Sequence, residues 1–266
     1  MASKGTAVIT GASTGIGALF AEGLAARGHD VILVARNAER LEATAARIRA
    51  RHGVAARGIA ADLSDPAQLR ALEATLAADA GITVLVNNAG IGATGTLAQT
   101  DPARLDAMVA LNVTALTRLT RAVVPGFLAR GAGRVANIAS VLAVAPEVFH
   151  GVYGATKAFV LAFSQSLRKE FAGTGLGVQV VLPGATATEF WETAGADVGN
   201  VPPEMVMSAT DLVAAALVGF DRGEFATLPA LQDGAQWEAF EAARQAMMPN
   251  LSTSRVAPRY ATPQAA

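Results

Sequence analysis

A chain of 266 residues, 52% hydrophobic and only 16% charged, carries too much apolar surface to stay disordered, and it is long enough to bury roughly three quarters of what its unfolded form exposes. Its 21 Lys and Arg are scattered and balanced by 22 Asp and Glu, for a net charge of −1 at pH 7, which excludes the basic footprint of a nucleic-acid binder. With no cysteine, a disulfide framework, a thiolate metal site and a cysteine nucleophile are excluded together.

In chain order, short β-branched or Leu-rich runs alternate with longer Ala-, Leu- and Arg-rich stretches of helical spacing, the pattern of βαβ units that build a parallel sheet. Strands are expected at 6–10, 31–35, 54–60, 82–86, 134–139, 177–182 and 225–230, and helices at about 15–28, 37–51, 66–79, 101–130 and 151–173. Asp65 before Pro66 and Asp101 before Pro102 mark helix starts, each an acceptor side chain followed by a residue with no N–H to satisfy. The expected fold is α/β, a Rossmann-type doubly wound parallel sheet of about seven strands in three αβα layers.

No Ser/Gly-rich linker or charge run divides the chain, so residues 1–251 are expected to form one dinucleotide-binding and catalytic domain, and 252–266, rich in Ala, Pro and Thr, a flexible tail. Residues 185–210, rich in Thr, Gly and Pro, follow a strand's C-terminal end and are expected to act as a lid. The start, Met1-Ala2-Ser3-Lys4-Gly5, runs straight into the first strand with no room for a cleavable leader. The longest apolar stretch, Leu212 to Phe220, is far below the ~18 residues of a spanning helix. A cytoplasmic protein with no membrane partner is expected.

Thr10-Gly11-Ala12-Ser13-Thr14-Gly15-Ile16-Gly17 closes the first strand and opens the first helix. Glycines there let the backbone approach a pyrophosphate while the helix N-terminus supplies N–H donors, although many tight strand-to-helix turns look the same. The second strand ends in Ala35-Arg36, where an acid would hydrogen-bond a free ribose 2′-hydroxyl. Nothing there repels a 2′-phosphate and a guanidinium could pair with it, which points to NADP(H), though Arg36 also reads as a solvated turn residue. Asp62 after the third strand, and Asn87-Asn88-Ala89-Gly90 after the fourth, lie at the same sheet edge or are ordinary turn residues.

Tyr153 and Lys157 are spaced i, i+4 at the start of a helix, so they share a face. A cation about 4 Å from a phenol at an effective dielectric of ~20 would stabilise the phenolate by up to ~4 kcal/mol, about three pKa units. By spacing alone the pair also reads as a core tyrosine with a surface lysine. Ser140 after the fifth strand could hydrogen-bond a substrate oxygen, and Asn112, polar on an apolar helix face, could link toward Lys157. His150, three residues before Tyr153, stands near the same helix start as a structural or a pocket residue. No His and carboxylate set has metal-ligand spacing, and no Gly-x-Ser-x-Gly elbow occurs.

In order along the chain, TGASTGIG at 10–17, NNAG at 87–90, Asn112, Ser140, YGATK at 153–157 and PGATAT at 183–188 resemble the motif series of the short-chain dehydrogenase/reductase family in its short, single-domain form. The resemblance implies an NADP(H)-dependent oxidoreductase interconverting a ketone or aldehyde and an alcohol. Tyr153 would be the general acid in reduction and base in oxidation, Lys157 would lower its pKa and hold the nicotinamide ribose, Ser140 would position the carbonyl, and Asn112 would anchor a proton-relay water. Gly11, Ser13, Thr14, Gly15, Ile16 and Gly17 would cradle the pyrophosphate and ribose. Asp62 and Leu63 would border the adenine, Asn88, Ala89 and Gly90 would line the crevice, and Pro183, Gly184, Thr186 and Thr188 would lie at the nicotinamide end.

Many NADP(H)-preferring members carry a second basic residue where this chain has Thr14, so the preference rests on Arg36 and NAD(H) use stays open. The C-terminal third is similar to the bacterial DltE-like subgroup, which does not fix a substrate. Phe190, Trp191, Val198, Val201, Met205 and Met207 in the lid, with Leu142, Val144, Val148 and Phe149 before the helix, suggest an apolar pocket for a hydrophobic or aromatic carbonyl compound. The family also implies a homodimer or homotetramer built through helices 101–130 and 151–173. A catalytically silent NADP(H)-binding sensor would not need Asn112, Ser140, Tyr153 and Lys157 together. A nucleotide-sugar epimerase or dehydratase would carry a different glycine spacing.

Overall fold

The computed structural model describes residues 3–260. The chain runs through β1 (Thr6–Thr10), α1 (Gly15–Ala26), β2 (Asp30–Ala35), α2 (Ala38–His52), β3 (Ala56–Ala60), α3 (Pro66–Ala78) and β4 (Ile82–Asn87). It continues through α4 (Pro102–Val109), a π-helical turn at Ala110–Ala115, α5 (Leu116–Arg130), β5 (Gly133–Ile138), α6 (Gly151–Glu170) and β6 (Leu176–Val181). Shorter elements follow: β7 (Thr186–Ala187), α7 (Phe190–Ala194), β8 (Met207–Ser208), α8 (Ala209–Arg222) and β9 (Ala226–Thr227).

The central sheet is parallel throughout, in the order β3-β2-β1-β4-β5-β6-β9. Its inner strands β2, β1, β4 and β5 are buried on both faces, and the two-residue side-chain period splits each between two cores. Along β1, Ala7 and Ile9 enter a core with Phe20 and Leu24 of α1 and Leu217 of α8, while Val8 enters one with Leu69 and Leu72 of α3 and Leu119 and Phe127 of α5. Strand order reverses between β1 and β4, so the loops leaving their C-terminal ends diverge to opposite faces and open a crevice.

The expected helix starts form as written. The Asp65 carboxylate accepts from the N–H groups of Ala67 and Gln68 at 2.7 and 3.0 Å, and that of Asp101 accepts from Ala103 at 2.9 Å. Three differences from expectation go beyond a shift of a few residues at an element's end. The helix expected at 101–130 is interrupted by the π turn at Ala110–Ala115. The last strand is only Ala226–Thr227, because Pro229, two residues on, has no N–H to continue a ladder. Residues 209–222 form a helix that was not expected: Leu212, Val213, Ala216, Leu217 and Phe220 make its buried stripe, and Ser208 caps it by accepting from Asp211 N at 3.0 Å.

The helical run Pro102–Arg130 is long and apolar enough by length and composition to cross a membrane. Here its Met108, Ala115, Leu116, Leu119, Val123 and Phe127 are buried in the protein, which accounts for much of that apolar character. Contacts divide the chain into two compact units, one ending at Ala230 and the other beginning at Leu231. The second contains α9 (Gly234–Met247), capped by Asp233, with the rings of Trp237 and Phe240 5.5 Å apart. Of the tail expected to be flexible, 261–266 lie outside the described residues.

Candidate active site

At the end of β1, Thr10 ties the glycine loop to the neighbouring strand. Its Oγ1 accepts from the N–H groups of Asn88 and Ala89, both at 3.0 Å, and Asn88 Nδ2 donates back to the carbonyls of Thr10 and Gly11 at 2.9 and 3.1 Å. A Cβ on Gly17 would collide with Gly11 O and with Asn88 Nδ2, so the loop and α1 meet at a distance only glycine permits. Gly11 itself has φ +66°, a conformation that disfavours any side chain.

The loop's carbonyls are thus turned inward and pinned. Asn37, Asp65, Asp101 and Ser208 cap α2, α3, α4 and α8 with their side chains, whereas Thr14 makes no such bond at the start of α1. The first-turn N–H groups of α1 have no side-chain cap among the described residues, and the helix dipole there favours an anion. Thr188 overlies that turn, its methyl 3.5 Å from where a Cβ of Gly15 would stand. Uncapped donors, a cradle that a Cβ would fill and a β2 end without an acid together fit a dinucleotide phosphate. Arg36 is exposed. Asp62 Oδ1 accepts from Ser64 N and Oγ at 2.9 and 2.6 Å, and Leu63 is buried near Ala89.

At the other end, Tyr153 and Lys157 are both buried in α6, 8% and 6% exposed. Lys157 Nζ lies 5.7 Å from the Tyr153 ring centroid and donates to Ile138 O at 2.8 Å. Asn112 sits in the π turn, a distortion frequent at functional sites. Its Oδ1 accepts from Ile91 N, and its Nδ2 donates to Ile91 O and Thr156 Oγ1, at 2.9, 2.9 and 3.0 Å. Both amide hydrogens are therefore spent on protein, leaving one Oδ1 lone pair and the turn's backbone as the groups that could anchor a water. Asn112 and Lys157 do converge: a Cβ on Gly90 would lie 3.2 Å from Asn112 Oδ1 and 3.6 Å from Lys157 Nζ. Ser140 Oγ accepts from Leu142 N at 3.2 Å and donates to Pro183 O at 3.4 Å.

The expected depression of the Tyr153 pKa is not what the protein's own groups produce. Burial pushes the phenol up from its ordinary 10.0, and burial pulls the Lys157 ammonium down from 10.5 to about 8. The ammonium is held on Ile138 O, and burial away from water is the cause of both shifts. Folded protein therefore releases the Lys157 proton near pH 8 while unfolded chain holds it to 10.5, so the unfolded state binds more protons between these values and stability rises with pH there. The Tyr153 shift has the opposite sign and acts only above pH 10. Comparing chemical denaturation at pH 7.5 and 10, we expect Lys157→Met to remove a rise of up to about 3 kcal/mol.

His150 is buried, with Nε2 2.9 Å from Thr100 Oγ1, whose own hydrogen goes to Thr96 O at 2.8 Å. The imidazole must therefore donate from Nε2, which leaves Nδ1 a buried acceptor without a partner among the described residues. Aromatic rings enclose Tyr153. Phe149 stands edge-on at 5.9 Å and Phe190 tilted at 5.4 Å, with Trp191 6.2 Å from Phe149 and 6.3 Å from Phe190. Leu142 packs in the same cluster, while Val148 and Met205, 72% and 65% exposed, face solvent.

Helix α7 is docked by residues that sequence reasoning missed. Arg104 Nε donates to Gly92 O at 2.9 Å and its Nη2 donates to both Gly92 O and Thr193 O, while Thr94 Oγ1 donates to Gly195 O at 3.1 Å. A Cβ on Gly92 would lie 2.7 Å from Phe190 Cζ. An arginine within a helix carries no sequence signal for carbonyls some 12 and 89 residues away. Arg104→Ala should raise KM about tenfold with kcat little changed, since three charge-assisted bonds to two carbonyls are lost outside the reacting groups. Faster amide exchange across 186–208 would show the lid loosened.

The family model for short chain dehydrogenases matches residues 5–199. The chain belongs to the short-chain dehydrogenase family. This short-chain dehydrogenase is 37% identical to a ketoacyl reductase of Nostoc sp. over 67% of its own length, and spans 62% of that relative. Among solved structures it is similar to a short-chain dehydrogenase from Sphingobium yanoikuyae in complex with NADPH, at 50% identity and TM-score 0.92, covering 96% of this chain and 100% of the other. It is also similar to the bulky-bulky ketone specific alcohol dehydrogenase from Comamonas testosteroni, at 42% identity and TM-score 0.89, covering 97% and 99%.

Proposed function

We propose that this dehydrogenase uses NADP(H) to interconvert a hydrophobic or aromatic ketone or aldehyde and its alcohol. The observation that carries the reading is the placing of buried Tyr153 and Lys157 at the same sheet edge as the uncapped, glycine-cradled start of α1. NADP(H), when bound, supplies or accepts the hydride at the carbonyl carbon. In reduction the Tyr153 Oη–H bond breaks and its proton goes to the carbonyl oxygen; in oxidation the phenolate takes it back. Lys157 opposes the phenolate with positive charge and holds the nicotinamide ribose, Ser140 directs its hydroxyl at the carbonyl oxygen, and Asn112 fixes the strand-end loop against which Lys157 sits.

The remaining residues hold the cofactor. Gly11, Ser13, Thr14, Gly15, Ile16 and Gly17 take the pyrophosphate and ribose, Arg36 the 2′-phosphate, and Asp62 and Leu63 the adenine. Asn88, Ala89 and Gly90, with Pro183, Gly184, Thr186 and Thr188, line the crevice toward the nicotinamide. The ring cluster of Phe149, Phe190 and Trp191 around Tyr153 supports a hydrophobic or aromatic substrate, and the similarity to the bulky-bulky ketone specific alcohol dehydrogenase from Comamonas testosteroni supports a bulky ketone. A panel of aryl ketones, aliphatic ketones and sugars, each assayed with NADPH and with NADH, tests this. The expected result is fastest turnover of aryl ketones with NADPH; activity confined to sugars, or equal use of NADH, overturns it.

The same reading includes a homodimer or homotetramer. Exposed Val109 and Leu128 on the helices between 102 and 130, and exposed Phe159, stacked 5.8 Å from Phe163 on α6, support it. Light scattering of the purified protein is the check.

A further inference from the structure

One ion pair joins the nucleotide end of the sheet to the lid: Arg40 Nη1 lies 2.8 Å from Glu189 Oε2. Arg40 is in the first turn of α2, next to the β2 end, and Glu189 directly precedes α7. Glu189 also follows Thr188, whose methyl lies 3.5 Å from the Cβ position of Gly15, so the partner that Arg40 holds is adjacent in the chain to a residue beside the start of α1. Both partners are about half exposed, 54% and 52%, and an exposed pair of this kind retains little net free energy because water screens it. Arg36, four residues earlier, is exposed and forms no hydrogen bond or ion pair among the described residues. At position 14 a threonine stands where a second cation would otherwise face the same ribose.

We propose that Arg40 is a second cation for the cofactor's 2′-phosphate and that Glu189 competes for it. This rests on the NADP(H) reading above and adds to it the residue that deepens the preference. A phosphate monoester carries a charge near −2 and three acceptor oxygens, whereas Glu189 carries one negative charge, so a guanidinium within reach of both exchanges toward the phosphate. The exchange frees the residue that leads into α7, while the contacts of α7 to Gly92, Arg104 and the ring cluster remain. NADH, which has no 2′-phosphate, leaves the Arg40 and Glu189 pair intact.

The test is equilibrium binding of NADPH, NADH, 2′,5′-ADP and 5′-AMP by calorimetry to wild type, Arg40→Gln, Glu189→Gln and Arg36→Gln, with thermal melts to confirm folding. Arg40→Gln is expected to weaken NADPH and 2′,5′-ADP about tenfold, the loss of a charge-assisted contact, and to change NADH and 5′-AMP less than twofold. Glu189→Gln is expected to tighten NADPH about threefold, the release of an exposed pair, without moving NADH. The proposal is overturned if Arg40→Gln leaves NADPH unchanged while Arg36→Gln weakens it, an outcome in which the NADP(H) reading survives. It is likewise overturned if Glu189→Gln weakens both dinucleotides, since Glu189 would then be a clasp and not a competitor. Wild type that binds NADPH no better than NADH removes the NADP(H) reading and this proposal together.

Discussion

Tyr153→Phe is expected to lower turnover about 10³-fold while leaving the NADPH dissociation constant within about twofold of wild type. The substitution removes one oxygen and nothing else. The ring stays against Phe149 and Phe190 at 5.9 and 5.4 Å, and the phenol hydroxyl forms no hydrogen bond among the described residues, so no buried partner is stranded. Stability should therefore change little. In the proposed mechanism what is lost is the proton that the carbonyl oxygen receives, for which no other acid stands in the ring cluster. Fluorescence titration gives the binding and NADPH oxidation gives the rate. Turnover within tenfold of wild type would remove Tyr153 from the mechanism.

Gly17→Ala is expected to weaken NADPH binding at least about 100-fold, because misplacing binding groups by an ångström carries costs of that order. The obstacles to its Cβ are a backbone carbonyl, Gly11 O, and the amide of Asn88 at 2.5 Å, and these are bonded to each other. Neither can step aside singly, so α1 must retreat from the loop and carry its first-turn donors with it. Gly15→Ala separates this steric effect from backbone strain. There the space is open, with Thr188 no nearer than 3.5 Å, but φ is +55°, so the cost is the roughly 1–2 kcal/mol of a left-handed residue. Calorimetric titration should find a far smaller loss of NADPH affinity for Gly15→Ala. Equal losses would mean that close approach at Gly17 is not what builds the cradle.

Much of the fold was legible because it is written in short-range patterns. Strand-length apolar runs such as Thr6–Thr10, and the acceptor-plus-proline starts at Asp65 and Asp101, depend on residues within about a turn of one another. α8 escaped because its run Leu212–Phe220 is apolar on every side, so a periodicity of three to four shows only once burial singles out Leu212, Val213, Ala216, Leu217 and Phe220. The π turn at Ala110–Ala115 escaped for a different reason. Its cause is the three-way bonding of Asn112 to Ile91 and Thr156, and neither partner is a helical neighbour.

The order of glycines, asparagines, Ser140, Tyr153 and Lys157 along the chain determined the family and the sheet edge at which they meet, since each follows a strand whose apolar pattern is local. Only the tertiary structure decided which long-range partners those side chains take: Ile138 O for Lys157, the carbonyls of Gly92 and Thr193 for Arg104, Glu189 for Arg40. It also decided the sign of the Tyr153 shift. Attraction by Lys157 can be anticipated from i, i+4 spacing, but desolvation depends on what packs around the ring, here Phe149 and Phe190, and burial raises the phenol's pKa.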